Sequence, residues 1–253
     1  MRITILGCGS SGGVPLIGNN WGVCDPRDPR NRRMRVSILV EEGDTVILVD
    51  TSPDMREQML IHNVQKLTAV LYTHAHADHC HGIDELRSVN WLIKKPVDVY
   101  ADPATLDELQ RRFDYIFRGN RPETFTSPSI NAHLINGPFA IGSVRIVPFG
   151  QDHGYSRSLG FRFNDFAYST DVKALDEGAF TALRGVKAWV VDAIREEPHH
   201  THSHLAQTLE WIKIVRPERA WLTHMNEQTD YMKTAAKCPP GVSPAHDGLI
   251  IEC

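Results

Sequence analysis

Four potential metal ligands stand within six residues of one another in Thr73-His74-Ala75-His76-Ala77-Asp78-His79, directly after the apolar run 67–72. Residues two apart in an extended segment face the same side, so His74 and His76 can converge on one ion. Asp78 and His79 follow where the chain should turn into a helix, and can reach a second ion. Ala75 and Ala77 are small enough to permit close approach. Three more candidates each follow an apolar β-like run: His153 after 144–149, Asp171 after 166–169 and His224 after 220–223. A carboxylate is suited to bridge two cations, with imidazoles in the outer positions. Two ions roughly 3.5–4 Å apart can hold a hydroxide between them at neutral pH and clamp the oxygens of a phosphate. Such a site needs no Ser or Cys nucleophile. Ser10 and Ser11, in Gly9-Ser10-Ser11-Gly12, do not form a G-x-S-x-G elbow. A glycine loop that brings backbone, and with it these serines, close to substrate suits them better.

A departing alkoxide needs a proton or a neutralising contact. His202 lies in His199-His200-Thr201-His202-Ser203-His204, at the start of a helix expected over 203–215. Helix N-termini favour phosphate, and an imidazole there can donate a proton or a hydrogen bond. Arg87, in the helix after the ligand motif, is a second phosphate candidate. Arg27, Arg30, Arg32, Arg33 and Arg35 form a basic stretch. It is either a salt-bridged face beside Asp25 and Asp28 or a source of phosphate contacts.

The elements that must carry these groups alternate between short β-runs and helical stretches. Strands are expected at 2–6, 35–41, 45–50, 68–73, 97–100, 144–149, 158–163, 166–169, 187–192, 219–223 and 248–252. Helices are expected at 53–63, 81–93, 103–117, 174–183, 203–215 and 228–236, with Pro53, Pro103 and Ser203 at helix starts. The hairpin around Glu42-Gly43-Asp44 argues against a doubly wound parallel sheet. Two mixed β-sheets with helices on the outer faces fit the order, in one domain over residues 1–253. Residues 118–138, rich in Pro, Asn, Ser and Thr, read as a surface excursion.

Composition narrows the class. The chain has 253 residues, 42% hydrophobic and 23% charged, which suits an ordinary globular protein. A net charge of −4 disfavours a protein living by binding long nucleic acid. Five scattered cysteines without a C-x-x-C pair fit a reduced, cytoplasmic chain. No signal peptide or membrane span is expected. Thirteen histidines are an excess that the candidate site would absorb in part.

The H-x-H-x-D-H motif at 74–79, followed by His153, Asp171 and His224 in that order, resembles the metallo-β-lactamase fold superfamily. Within it the chain is similar to the phosphodiesterase branch. It is most like the family of the phosphoribosyl 1,2-cyclic phosphate phosphodiesterase of the carbon–phosphorus lyase pathway (PhnP-like). The glycine loop from Gly7 to Pro15, the Val46–Asp50 strand and His202 support the resemblance. It implies a four-layer αββα sandwich. His74, His76 and His153 would hold one metal, Asp78, His79 and His224 the other, and Asp171 would bridge them. Asp50 would orient the motif loop from the second shell, with Asp78 and His202 as catalytic residues. The expected cofactors are two divalent ions, Zn²⁺ or Mn²⁺. The expected activity is hydrolysis of a small phosphodiester, such as a cyclic sugar phosphate or cyclic nucleotide. No membrane partner is expected, and a homodimer is implied by analogy alone. The alternatives are a thioester hydrolase of the glyoxalase II type and a tRNase Z-like ribonuclease. Against the first, 29 residues follow His224 where a helical thiol-binding part is expected. Against the second, 17 residues separate His153 from Asp171 where a long arm is expected.

Overall fold

The computed structural model describes residues 1–118 and 129–253. Two seven-stranded sheets carry the chain. The first is built from β1 (Arg2–Gly7), β2 (Ser37–Glu42), β3 (Thr45–Val49), β4 (Ala69–Leu71), β5 (Val97–Ala101) and β6 (Ile130–Leu134) in that spatial order, with β14 (Ile250–Glu252) outside β1. The second runs from β7 (Phe139–Ile141) through β8 (Val144–His153), β9 (Ser156–Phe163), β10 (Phe166–Ser169), β11 (Ala188–Asp192) and β12 (Arg219–Thr223) to β13 (Val242–Pro244). Each sheet starts antiparallel and turns parallel: at the β3–β4 pair in the first, and at the β10–β11 pair in the second. Both sheets are therefore mixed, as the hairpin around Gly43 requires.

Period-two burial explains why the sheets stack. Ile38 and Val40 of β2, and Ile47 and Val49 of β3, join Ile146, Phe161, Phe163, Tyr168 and Trp189 of the other sheet in one buried apolar body. Their neighbours Leu39, Val46 and Leu48 point the other way. There they meet Met55 of α1 (Met55–Ile61), Leu86 and Val89 of the helix Leu86–Ile93, and Leu106 and Leu109 of the helix Pro103–Arg112. In chain order the short α2 (Ala77–Cys80) precedes these last two, which are α3 and α4. Then come α5 (Asp114–Phe117), α6 (Glu177–Leu183), α7 (Leu205–Val215) and α8 (Tyr231–Ala235). Pro103 opens α4 as expected, with the Asp102 side chain accepting from Thr105 N.

Some boundaries move. α1 starts at Met55 after Asp54 rather than at Pro53, and α7 starts after His204 rather than at Ser203. The helix expected over 81–93 is a single 3₁₀ turn (Ile83–Glu85) followed by α3, with the short α2 ending just before it; that over 103–117 breaks at Phe113. Of the excursion expected over 118–138, residues 119–128 lie outside the described residues. Its remainder contains β6, which pairs in parallel with β5.

The strands end where the candidate ligands begin. Leu222 sits two residues before His224 and is fully buried. Leu222→Ala should cost about 2–5 kcal/mol through the cavity it leaves, read as a lower urea midpoint with an unchanged slope.

Candidate metal centre

Asp50 follows β3, the His74–His79 motif follows β4, His153 ends β8, Asp171 follows β10 and His224 follows β12. Three of these turn sharply at the strand end. Asp50, Asp171 and His224 have φ of 63°, 53° and 57°. That left-handed backbone is uncommon for residues other than glycine and concentrates at functional sites. It swings their side chains into the gap between the sheets.

All seven predicted ligands converge there. His74, His76, His153 and Asp171 offer ligand atoms within 4.8 Å of one another, and so do Asp78, His79, Asp171 and His224. Asp171 belongs to both groups and divides its oxygens between them. Its Oδ2 lies 3.4 Å from His153 Nε2 and 3.8 Å from His74 Nε2. Its Oδ1 lies 3.0 Å from His79 Nε2 and 3.3 Å from His224 Nε2. Asp78 Oδ2 completes the second group, 3.3 Å from His79 Nε2 and 3.5 Å from His224 Nε2. In the first group His76 Nδ1 stands 2.9 Å from His74 Nε2 and 3.2 Å from His153 Nε2.

Surrounding groups fix which ring nitrogen faces the gap. His79 Nδ1 donates to Asp50 Oδ2 at 2.7 Å, and Asp50 is itself held by Thr73, whose N and Oγ1 donate to it at 2.8 Å. The Thr201 carbonyl accepts from His153 Nδ1 at 2.7 Å. A carboxylate and a carbonyl can only accept, so in the neutral form of either ring the lone pair lies on Nε2 and faces inward. Burial, together with the nearby His79, keeps His74 well below its usual pKa, and burial lowers His76 and His153 too. Neutral imidazole is the ligating form. Burial opposes ionisation of Asp171, but His224, His79 and His202 outweigh it and hold the carboxyl well below its usual range. Among the described residues, the Nε2 atoms of His79 and His224 are buried with no hydrogen-bond partner. Buried nitrogens without partners are costly. Converging imidazoles and carboxylates of this kind fit divalent cations.

His202 stands beside the two groups. Its ring stacks on His224 with centroids 4.5 Å apart, and its Nε2 is 3.8 Å from Asp171 Oδ2. Its Nδ1 donates to Asp192 Oδ2 at 2.9 Å. Burial disfavours charge on His202, yet the Asp192 carboxylate wins and pushes its pKa up to about 9. Asp192 was not among the sequence candidates, although it closes β11 as Asp171 follows β10. Arg112 was missed as well. Its Nη1 donates to the Ala75 carbonyl at 2.7 Å, between His74 and His76, and no sequence spacing announces that contact. Ser10 is buried beside the second group, its N–H donating to the Met225 carbonyl at 3.2 Å, whereas Ser11 is exposed. Arg87 is half exposed and pairs with Asp84 at 3.4 Å, not with any ligand residue. Arg27, Arg30 and Arg35 form salt bridges with Asp25, Asp28 and Asp54. Arg33 departs from that pattern and is buried.

A family model described as a beta-lactamase superfamily domain matches residues 45–225, the stretch that holds all seven ligands. The chain belongs to the beta-lactamase superfamily. Within this superfamily it is PhnP-like: the crystal structure of a diphosphatase from the PhnP family superposes with a TM-score of 0.89 at 32% identity, over 99% of this chain and 97% of that one. Zinc-bound PqqB from Methylobacterium extorquens has a TM-score of 0.74 over 100% of both chains. At 18% identity, that likeness is one of fold. An octanoyltransferase of Porphyromonas gingivalis is 29% identical over 252 residues, which are 98% of this chain and 51% of that protein. The chain thus spans about half the length of this curated relative.

The superfamily frame gives the Asp50–His79 pair a definite expectation. Asp50→Asn replaces an obligate acceptor by a group that also donates. Affinity for one ion should fall by about 10–100-fold, measured by competition with a chromogenic chelator, while the first group keeps its own. Asp171→Ala should abolish metal binding, seen as its loss on metal analysis of dialysed protein.

Proposed function

We propose that this metallo-hydrolase is a dinuclear phosphodiesterase acting on a small phosphodiester, a cyclic sugar phosphate or cyclic nucleotide, as one domain over residues 1–253. The observation that carries the reading is the split of the Asp171 carboxylate between two ligand groups, with a paired His202–Asp192 at their edge. The likeness to a PhnP-family diphosphatase, itself an enzyme of phosphoryl chemistry by name, supports phosphate over other substrates. The net charge of −4 supports a small diester over a long nucleic acid. Five unpaired cysteines fit a reducing, cytoplasmic setting. No helix among the described residues is long and apolar enough to cross a membrane. Zn²⁺ and Mn²⁺ both suit the ligand set.

Two divalent ions bound there would supply charge to the phosphate oxygens and make a water acidic enough to attack at neutral pH. The protein's own part is orientation and proton supply. Asp50 and the Thr201 carbonyl hold His79 and His153 in the ligating tautomer. The water gives up one proton to the solvent as its oxygen forms a bond to phosphorus, and the bond to the leaving oxygen breaks. His202 Nε2 delivers its proton to that leaving oxygen, while Asp192 steadies the ring and its charge. The buried Ser10, joined to Met225 beside His224, brings the glycine loop against the same space.

The test is a substrate panel on metal-loaded protein: bis-p-nitrophenyl phosphate, a lactoylglutathione-type thioester and a chromogenic cephalosporin. Phosphodiester turnover is expected, and thioester turnover without it would sink the reading. His202→Ala should keep both ions and lose about 10²–10⁴-fold in kcat for alkyl leaving groups, and much less for p-nitrophenolate. Equal loss for both would assign His202 to binding instead of proton donation.

A further inference from the structure

The ligating histidines are not held alike. His74 has Thr73 Oγ1 at 3.0 Å from its Nδ1, His79 has Asp50 and His153 has the Thr201 carbonyl. Among the described residues His224 has no such partner: both of its ring nitrogens are buried and without a hydrogen bond. A metal-bound imidazole is ordinarily oriented through its second nitrogen. Beyond the stacking of its ring on His202, His224 is placed by its backbone, which is in the left-handed region at φ 57° and is not at ease there.

What holds that backbone is a buried arginine. Arg33 is 2% exposed, and its head bonds to carbonyl and amide oxygens. Nη1 donates to the Asn226 carbonyl at 3.2 Å, and Nη2 to the Thr229 carbonyl at 2.8 Å and to Asn31 Oδ1 at 3.2 Å. Its Nε is buried and unpartnered. A guanidinium kept in such a place is a costly group. Its backbone pairs in both directions with Val14 of the glycine loop at 2.9 Å. That loop in turn holds the residue after His224: Met225 N donates to the Cys8 carbonyl at 3.0 Å, and Ser10 N to the Met225 carbonyl at 3.2 Å. At Gly9 an added Cβ would stand 2.9 Å from the Met34 carbonyl and 3.0 Å from Arg33 Cβ, so the loop lies against Arg33 as closely as a backbone can. Asn31 completes the joint, donating to Asp230 Oδ2 at 2.8 Å and accepting from Tyr231 N at 2.8 Å.

We infer that Arg33 is the positioning residue of His224. It takes the place of the missing ring hydrogen bond by clamping the backbone on the C-terminal side of that ligand. It thereby sets the affinity of the second ligand group alone. The inference rests on the reading that the two groups hold two ions.

Metal content per chain and chelator competition, with folding followed by near-ultraviolet circular dichroism, test it. Wild-type protein should bind two ions in resolvable steps. His224→Ala identifies the step that belongs to the second group. Arg33→Met should weaken that same step by about 10–100-fold and leave the other at its wild-type value. Arg162→Met is the control. Arg162 also bonds backbone carbonyls, those of Asn164, Ala182 and Arg184, on the far side of the second sheet, and should move the thermal midpoint without moving either step. If Arg33→Met does not fold, Arg33→Lys, whose ammonium can still reach one carbonyl, should give a smaller loss on the same step. A folded Arg33 variant with both steps intact, or with both weakened equally, overturns the inference. Fewer than two ions on wild-type protein would overturn the dinuclear reading instead, so the two failures are distinguishable.

Discussion

A carboxylate at the bottom of a protein must be compensated, and Asp171 is one that is 2% exposed with imidazoles on all sides. Thr170 Oγ1 donates to Oδ1 at 2.7 Å, and the other close neighbours of its two oxygens are histidine nitrogens. In the protein alone, burial disfavours charge on His79, yet Asp171, Asp78 and Asp50 outweigh it and raise its pKa well above the ordinary value. Divalent cations resolve the same conflict differently, by taking the lone pairs of neutral imidazoles and the carboxylate charge together. The sheet stacking, the strand ends and the strained turns all serve to hold that one carboxylate between two sets of nitrogen ligands.

The frame does this with little freedom to spare. β3 and β4 of one sheet bring Asp50 and the motif, while β8, β10 and β12 of the other bring His153, Asp171 and His224. The apolar body between the sheets fixes their separation. A slip of one residue in any of these strands would turn its ligand away from the gap. Side chains from the second sheet, such as Tyr168 and Trp189, are fully buried, and Trp189 Nε1 donates to Ser169 Oγ at 3.0 Å, two residues before Asp171. Packing and polar satisfaction thus act on the same strand ends that carry the ligands.

The candidate ligand set was legible because its residues are of a rare type and each follows a short apolar run that reads as a strand. His74, His76, Asp78, His79, His153, Asp171 and His224 all meet where that rule places them. The rule missed Asp192 because a lone Asp after Val190 and Val191 has no partner nearby in sequence; His202, ten residues on, meets it only through the β11–α7 turn. Strands β6, β7 and β13 were missed for a related reason. They are short, and β6 (Ile-Asn-Ala-His-Leu) is an edge with exposed positions, so its apolar pattern is too weak to stand out from a polar stretch. The basic stretch shows the same limit. Sequence treats Arg27, Arg30 and Arg33 alike, yet two of them meet aspartates two residues away in the chain, while Arg33 meets carbonyls almost two hundred residues away.

The metal ligands do not by themselves choose a substrate. The zinc-bound PqqB shares this fold at 18% identity, and the PhnP-family diphosphatase shares it far more closely, under different names. Substrate choice can then turn on groups around the metal ligands, such as one that protonates a leaving atom. In the proposed mechanism that group would be His202, paired with Asp192 and stacked on the His224 ring. Such a donor matters most when the leaving group is a poor one, as the alkoxide of a sugar or nucleoside is. A thioester hydrolase expels a thiolate and gains less from it. Under the proposed function, a buried, acid-paired imidazole beside Asp171 therefore bears on substrate as well as mechanism, because it suits the ester of an alcohol better than a thioester.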